Sequence, residues 1–228
     1  MDALIEYSPS LLAGAWVTLK VALVSVLLAL VTGLIGAACK LSGFLPLRLW
    51  TMLYTTVMRG VPDLVMMLLV FYGGQVLLNL VIDHFGWDFI EIDPFVAGVL
   101  TIGLIFGAYF TETFRGAILA IPRGQIEAGI SCGMSKSLIF RHVIWPQMVR
   151  YALPGFTNNW LVQLKATALV SVIGLQDLTY NAFTAGRSTD KLFTFMFAAF
   201  VIYLILTAIS DVGFRALERH YSRGMPRA

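Results

Sequence analysis

The 228-residue sequence predicts an all-α integral membrane protein with five transmembrane helices. Three observations predict it. Apolar residues make up 58% of the chain and charged residues only 13%, against roughly 25% charged in a soluble domain, so too little polar material is present to cover a soluble surface. Runs of about 20 apolar residues, enough to cross roughly 30 Å of hydrocarbon, recur along the chain. Nothing shows the period-two alternation of a membrane β-barrel, and an isolated span must satisfy its backbone internally, so each run reads as a helix.

The expected spans cover about residues 11–39, 61–82, 94–118, 153–175 and 192–212, within one transmembrane domain over 1–228 that carries a polar loop at about 119–148. The first run is broken only by Lys20. The residues before it, MDALIEYSPS, hold Asp2 and Glu6 but no Lys or Arg. A signal peptide would need a basic leading segment and a shorter apolar run, so this stretch reads as a retained span. Lys and Arg set the expected orientation. Lys40, Arg48 and Arg59 follow the first span, Arg115, Arg123, Lys136, Arg141 and Arg150 follow the third, and Arg215, Arg219, Arg223 and Arg227 follow the fifth. The 83–93 connection has none and carries Asp83, Asp88, Glu91 and Asp93, while the fourth connection has only Arg187 and Lys191. The N-terminus is therefore expected outside and the C-terminus inside. Cys39 and Cys132 then both lie on the reducing side, where a disulfide is not expected. The net charge of +3 follows from the same bias and gives no reason to invoke nucleic acid.

One stretch departs from its apolar surroundings: RGQIEAGISCGMSKSLIFRHVIWPQ, residues 123–147. Its pattern predicts two short helices with a corner. Gln125 to Cys132 places Ile126 and Ile130 on one face, with Met134 continuing their line. Gly133 suits the left-handed position past a helix end, Ser135 can cap the next helix, and Pro146 is expected to interrupt or bend it. Leu138, Ile139, Val143 and Ile144 supply that second helix with an apolar side. Two readings stand on pattern alone. One is an amphipathic loop lying on the lipid surface; the other is a rigid knob that docks into a partner through Glu127 and the small residues Ala128 and Gly129.

This stretch resembles the loop of bacterial ABC-importer permeases written E-A-A, three residues, G, nine residues, I-x-L-P. The chain offers Glu127-Ala128-Gly129, Gly133 and Val143-Ile144-Trp145-Pro146, with Gly for the second Ala, Val for Ile and Trp for Leu. RGVPDLVMMLLVFYG (59–73), YFTETFRGAILAIPRGQIEA (109–128) and LPGFTNNWLVQLKATALVSVIGLQDL (153–178) extend the likeness to the polar amino-acid branch, type I, that serves histidine, lysine, arginine and ornithine. The resemblance implies that the loop is a coupling helix seated in an ATPase, with Gly124, Gln125, Glu127, Ala128, Gly129, Gly133 and Pro146 in the coupling element. It implies further partners: a homologous second permease subunit, two cytoplasmic ATPase subunits binding ATP and Mg, and a periplasmic amino-acid-binding protein. It also implies the bacterial inner membrane as the location and basic amino acids as substrates, although related permeases carry glutamine, glutamate or cystine. No cofactor is expected in this chain, because no G-x-x-x-x-G-K-[ST] nucleotide loop occurs.

Charged and polar groups inside spans are costly and mark candidate pathways. Glu112 and Arg115, three apart, can pair as structure or form a gate. The fourth span carries Asn158, Asn159, Gln163, Lys165 and Thr167. Asn158 and Lys165 lie seven apart and share a face, and Gln163 is placed less closely with them. Hydrogen bonding between helices explains the Asn residues, whereas Lys165, expected near mid-span, needs a carboxylate, carbonyls or water. Lys20 reads as an outer-leaflet snorkelling residue. Arg59-Gly60-Val61-Pro62-Asp63 reads as a helix start, Met66 and Met67 as packing residues, and His84, His142 and His220 are too scattered for a metal site.

The leading function is therefore half of a translocation path moved by an ATPase. A channel or ion-driven carrier competes, but no internal symmetry or paired broken helices are present. A scaffold half that couples without touching substrate is a further alternative. An enzyme is least supported, because no nucleophile–base or metal constellation occurs.

Overall fold

The computed structural model describes residues 2–221, and every regular element among them is helical. Arg223 and Arg227, used above for orientation, lie outside the described residues. The chain begins with α1 (Asp2–Leu41), whose 40 residues extend about 60 Å at 1.5 Å per residue. It continues through α2 (Leu45–Gly60), α3 (Asp63–Leu68), a π turn over Leu69–Gly73 and α4 (Gly74–Phe85). Next come α5 (Pro94–Leu119), α6 (Arg123–Ser131) and α7 (Lys136–Ile139), then a second π turn over Phe140–Ile144. The last elements are α8 (Trp145–Ala166) with its 3-10 extension Thr167–Ile173, α9 (Leu178–Ser188) and α10 (Leu192–Tyr221).

Four stretches are long and apolar enough to span a bilayer: Ala3–Leu41, Asp63–Phe85, Pro94–Leu119 and Leu192–Tyr221. A fifth arises if Lys136–Ile173 and Leu178–Ser188, bent by 53° at their junction, count as one span. The stretch expected at 153–175 is thus the far part of a helical run that begins at Lys136. The polar corner flows directly into a span because the backbone never breaks between them.

α5 is the axis of the bundle. In its most apolar window 67% of residues are buried, against 11% in α10, which lies at the periphery. α1 runs parallel to α5, and small residues let the two backbones approach. A Cβ at Gly103 would lie 2.6 Å from Leu28, one at Gly107 2.1 Å from Thr32, one at Gly33 2.6 Å from Phe110, and one at Gly36 2.3 Å from Thr111. Apolar burial gives helices little reason to associate in lipid, so packing at this range and hydrogen bonds must hold the pair. The hydroxyls of Thr32 and Thr111 donate within their own helices to Leu28 O (2.9 Å) and Gly107 O (2.8 Å), so these oxygens can lie against Gly107 and Gly36 of the facing helix without an unmet donor. A second cluster joins the start of α1 to α9 and α10 through Leu11, Ala15, Leu178, Ala182 and Phe195.

The helix α2 is absent from the sequence expectation, which treats 40–60 as a connection. Its polarity runs opposite to that of a soluble helix. Thr51 and Thr55 are buried, while Leu45, Leu49, Trp50, Leu53 and Val57 are exposed. An apolar outer face suits lipid or another membrane subunit, and the window is too short to register as a span. Pro62 directly precedes α3, Asp63 opens its first turn, and Met66 and Met67 are buried as packing residues.

The α1–α5 seam yields a stability test. Gly107→Leu should destabilise the chain by about 1–3 kcal/mol, a typical penalty for overpacking. Gly116→Leu, on the same helix with nothing within 4 Å of its added Cβ, should leave the thermal midpoint in detergent unchanged. Equal midpoints for the two variants would remove the seam's assigned role.

Candidate coupling and translocation site

α6 is short, polar and locally well specified. It begins after Pro122 at Arg123, two residues before the expected start. It ends through two bonds that close the last turn: Gly133 N–H donates to Ile130 O at 2.9 Å and Met134 N–H to Gly129 O at 3.0 Å. This ending puts Gly133 at φ +77°, a conformation in which a Cβ meets the following carbonyl. Ser135 then caps α7, its Oγ accepting from Leu138 N–H at 3.4 Å.

Two contacts seat α6 on the run that follows. Gln147 Nε2 donates to Gln125 Oε1 at 2.6 Å and to Val143 O at 2.9 Å. Gly129 is buried, and a Cβ there would lie 3.2 Å from Ile139 Cγ1. Gly129, where the motif has Ala, lets α6 lie close to Ile139, which would have to give by a few tenths of an ångström to admit a methyl group. The opposite side of α6 is open, with Gly124, Glu127, Ala128 and Ile130 exposed, and Gln125 is exposed beside its contact to Gln147. Ile126 and Met134 are half-buried, so the expected apolar line of 126, 130 and 134 is split between the two sides.

Pro146 sits in the first turn of α8, immediately after the π turn, so the regular α-helix is interrupted just before it while the helical run continues. A proline inside a helix loses one hydrogen bond and presses on the carbonyl four residues back. The wide turn over Phe140–Ile144 accommodates that mismatch and lets the helix run on. Gln147 is missed by sequence reasoning, since a partner 22 residues away leaves no periodic trace.

The polar residues of the fourth span separate into two faces. Asn159, Gln163 and Thr167, four apart, are buried against neighbouring helices. Asn159 Nδ2 donates to Thr113 Oγ1 at 3.0 Å, Gln163 Nε2 to Ser25 Oγ at 2.9 Å, and Thr167 Oγ1 to Leu164 O at 2.7 Å. Gln163 therefore does not share a face with Lys165. Asn158 and Lys165 are exposed on the other side together with Pro154 and Val162. Lys165 borders a cavity of about 430 Å³ with Ala168, Phe200, Tyr203, Leu204 and Thr207, and among the described residues no carboxylate pairs with it.

At the end of the bundle that carries α6, here called the base, Glu112 accepts from two cations. Arg115 Nε lies 2.9 Å from its Oε2 and Lys40 Nζ 2.5 Å from its Oε1. Lys40 also donates to Thr55 Oγ1 at 2.6 Å. The i,i+3 pair follows from the sequence; Lys40 does not, because its proximity depends on α1 lying parallel to α5.

The corner supports a local test. Gly133→Val should raise amide exchange rates across 123–139 by about five- to thirtyfold, reflecting a penalty of roughly 1–2 kcal/mol. Gly133→Asn should cost less, because Asn tolerates the left-handed region. An added Cβ at this position has no neighbour within 4 Å, so equal exchange in both variants would mean the backbone demand is absent.

Comparison with known proteins places this geometry. The permease subunit HisQ of the histidine/lysine/arginine/ornithine transport system of Salmonella typhimurium is 52% identical over 222 residues, covering 97% of each chain. The arginine ABC transporter permease ArtQ of Haemophilus influenzae is 41% identical over 218 residues and 96% of each chain. A crystal structure of an amino acid ABC transporter with histidines superposes with a TM-score of 0.83 at 33% identity, over 95% of this chain and 96% of that one. The model of binding-protein-dependent transport system inner membrane components matches residues 13–223. With a transport fold along nearly its whole length and an exposed polar helix at its base, this chain is a transport subunit and belongs to the family of binding-protein-dependent transport system inner membrane components.

Proposed function

We propose that this chain forms half of the path of an ATP-driven importer of basic amino acids in the bacterial inner membrane. It pairs there with a homologous permease subunit and receives motion through α6 from one of two cytoplasmic ATPase subunits. The observation that carries the reading is α6 itself. It is fixed on one side by Gln125–Gln147 and by Gly129 against Ile139, and it leaves Glu127, Ala128 and Ile130 uncovered on the other. A rigid helix with one free face of mixed character is a docking piece, whereas a lipid-surface helix would turn a broad apolar face outward. ATP and Mg belong to the ATPase partner in this reading. A periplasmic binding protein delivers the substrate.

The substrate class is supported by the names of the two relatives, which transport histidine, lysine, arginine and ornithine or arginine. It is supported also by the acidic 83–93 connection, with Asp83, Asp88, Glu91 and Asp93 and no Lys or Arg, which raises the local concentration of cations at the mouth. The orientation that puts this connection outside and α6 in the cytoplasm follows the Lys and Arg distribution. Asn158 and Lys165 face the path or the partner subunit, because an unpaired cation turned toward lipid at that depth is costly. Asn159 and Gln163 tie helices together behind that face, Thr167 is held within its own helical run, and Glu112 and Arg115 lie at its inner end.

Two measurements test the proposal. In liposomes holding the complete assembly, uptake of a basic amino acid should need ATP and the ATPase; accumulation driven by a proton or sodium gradient alone would overturn it. Glu127→Ala should leave the permease pair intact and reduce ATPase co-purification or transport per ATP, and Lys165→Ala should reduce transport more than assembly. Normal attachment and coupling in the first variant would return α6 to the role of a surface loop, and normal transport in the second would remove Lys165 from the path.

A further inference from the structure

The base of the bundle holds a polar joint whose geometry suits the transfer of force. α5 leads directly through residues 120–122 into α6. Two turns above that junction, Glu112 is held by Arg115 on its own helix and by Lys40 at the end of α1. Lys40 is largely enclosed, with its side chain 11% exposed, and Glu112 is 23% exposed. Lys40 reaches a third element through Thr55 of α2. Further polar contacts bind α2 to α5: Tyr54 O–H donates to Leu104 O at 2.5 Å, and the Arg59 guanidinium lies 5.1 Å from the centre of the Tyr109 ring. α2 thus makes its polar attachments inward to α5 while its apolar face is left to the surroundings.

We propose that Lys40 and Glu112, with Thr55, form a transmission joint that makes the ends of α1, α2 and α5 move as one body with the coupling helix. The proposal rests on the reading of α6 as the docking piece. In partly enclosed surroundings a charge-assisted triad is stiffer than apolar contact, because each of its hydrogen bonds fixes direction as well as distance. Displacement of α6 then reaches α2, and through the short 61–62 link α3, without being absorbed as slack between helices. Lys40 and Glu112 are positioning residues here: they do not touch substrate, and their effect is carried by the helices they join.

The test uses the complete assembly in liposomes, with uptake and ATP hydrolysis measured on the same preparation. The unaltered assembly must first show ATP-dependent uptake; if it does not, the coupling reading of α6 fails before the joint is tested. Glu112→Gln, which keeps the shape and removes the charge, should lower substrate moved per ATP by about three- to tenfold, in the range by which such networks modulate coupling. Hydrolysis itself should continue. Lys40→Arg should retain the unaltered ratio, and the swap Lys40→Glu with Glu112→Lys should recover part of it. Thr55→Val, which removes only the link to α2, should shift the ratio in the same direction and serves if Glu112→Gln fails to assemble. An unchanged ratio in Glu112→Gln, or in Thr55→Val where the first cannot be made, overturns the joint. A proportional fall of uptake and hydrolysis together also overturns it, because that marks loss of assembly and not of coupling.

Discussion

The close parallel contact of α1 with α5 is the constraint on which the rest of the bundle depends. Lipid offers two apolar helices no net gain for leaving it, so their association needs backbones near enough for dispersion and hydrogen bonds to matter. Gly33, Gly36, Gly103 and Gly107 supply that approach, each placed where a methyl group would overlap a side chain of the facing helix. Once the seam is set, Lys40 reaches Glu112, Ser25 meets Gln163, and Thr18 accepts from the Leu178 backbone at 3.2 Å. Each of these ties α1 to a different part of the chain.

The polar groups within the bundle follow from the same constraint. Asn159 and Gln163 each donate to a residue on another helix and Glu112 accepts from one, so they report where neighbours lie. Lys165 is different. It lies on an exposed face with no carboxylate paired to it among the described residues, and that contrast separates groups that hold the fold from groups presented to something beyond it.

The sequence made the helical spans and the polar corner legible because both rest on local rules. Apolar run length marks a span, and Gly133 and Ser135 mark a turn by their own backbone chemistry. What stayed hidden is what distance along the chain conceals. α2 is too short for the length criterion, and its buried face is threonine, so burial and hydropathy point in opposite directions. Gln147 and Lys40 act across 22 and 72 residues respectively, where no periodicity operates. Spacing places Gln163 only loosely with Asn158 and Lys165, and its bond to Ser25 on α1 puts it on the other face.

The π turn over Phe140–Ile144 has a consequence for how such chains diversify. A π turn takes in one more residue than an α turn, and one residue corresponds to about 100° of rotation around a helix axis. The faces of α8 are therefore out of phase with those of α7, although the backbone is continuous. Loss of a single codon within this turn would rewind it to regular α-helix and turn the whole corner relative to the span. A lineage has in this turn a place where a one-residue deletion re-aims the exposed surface of α6, while leaving the inward order of Asn159, Gln163 and Thr167 undisturbed.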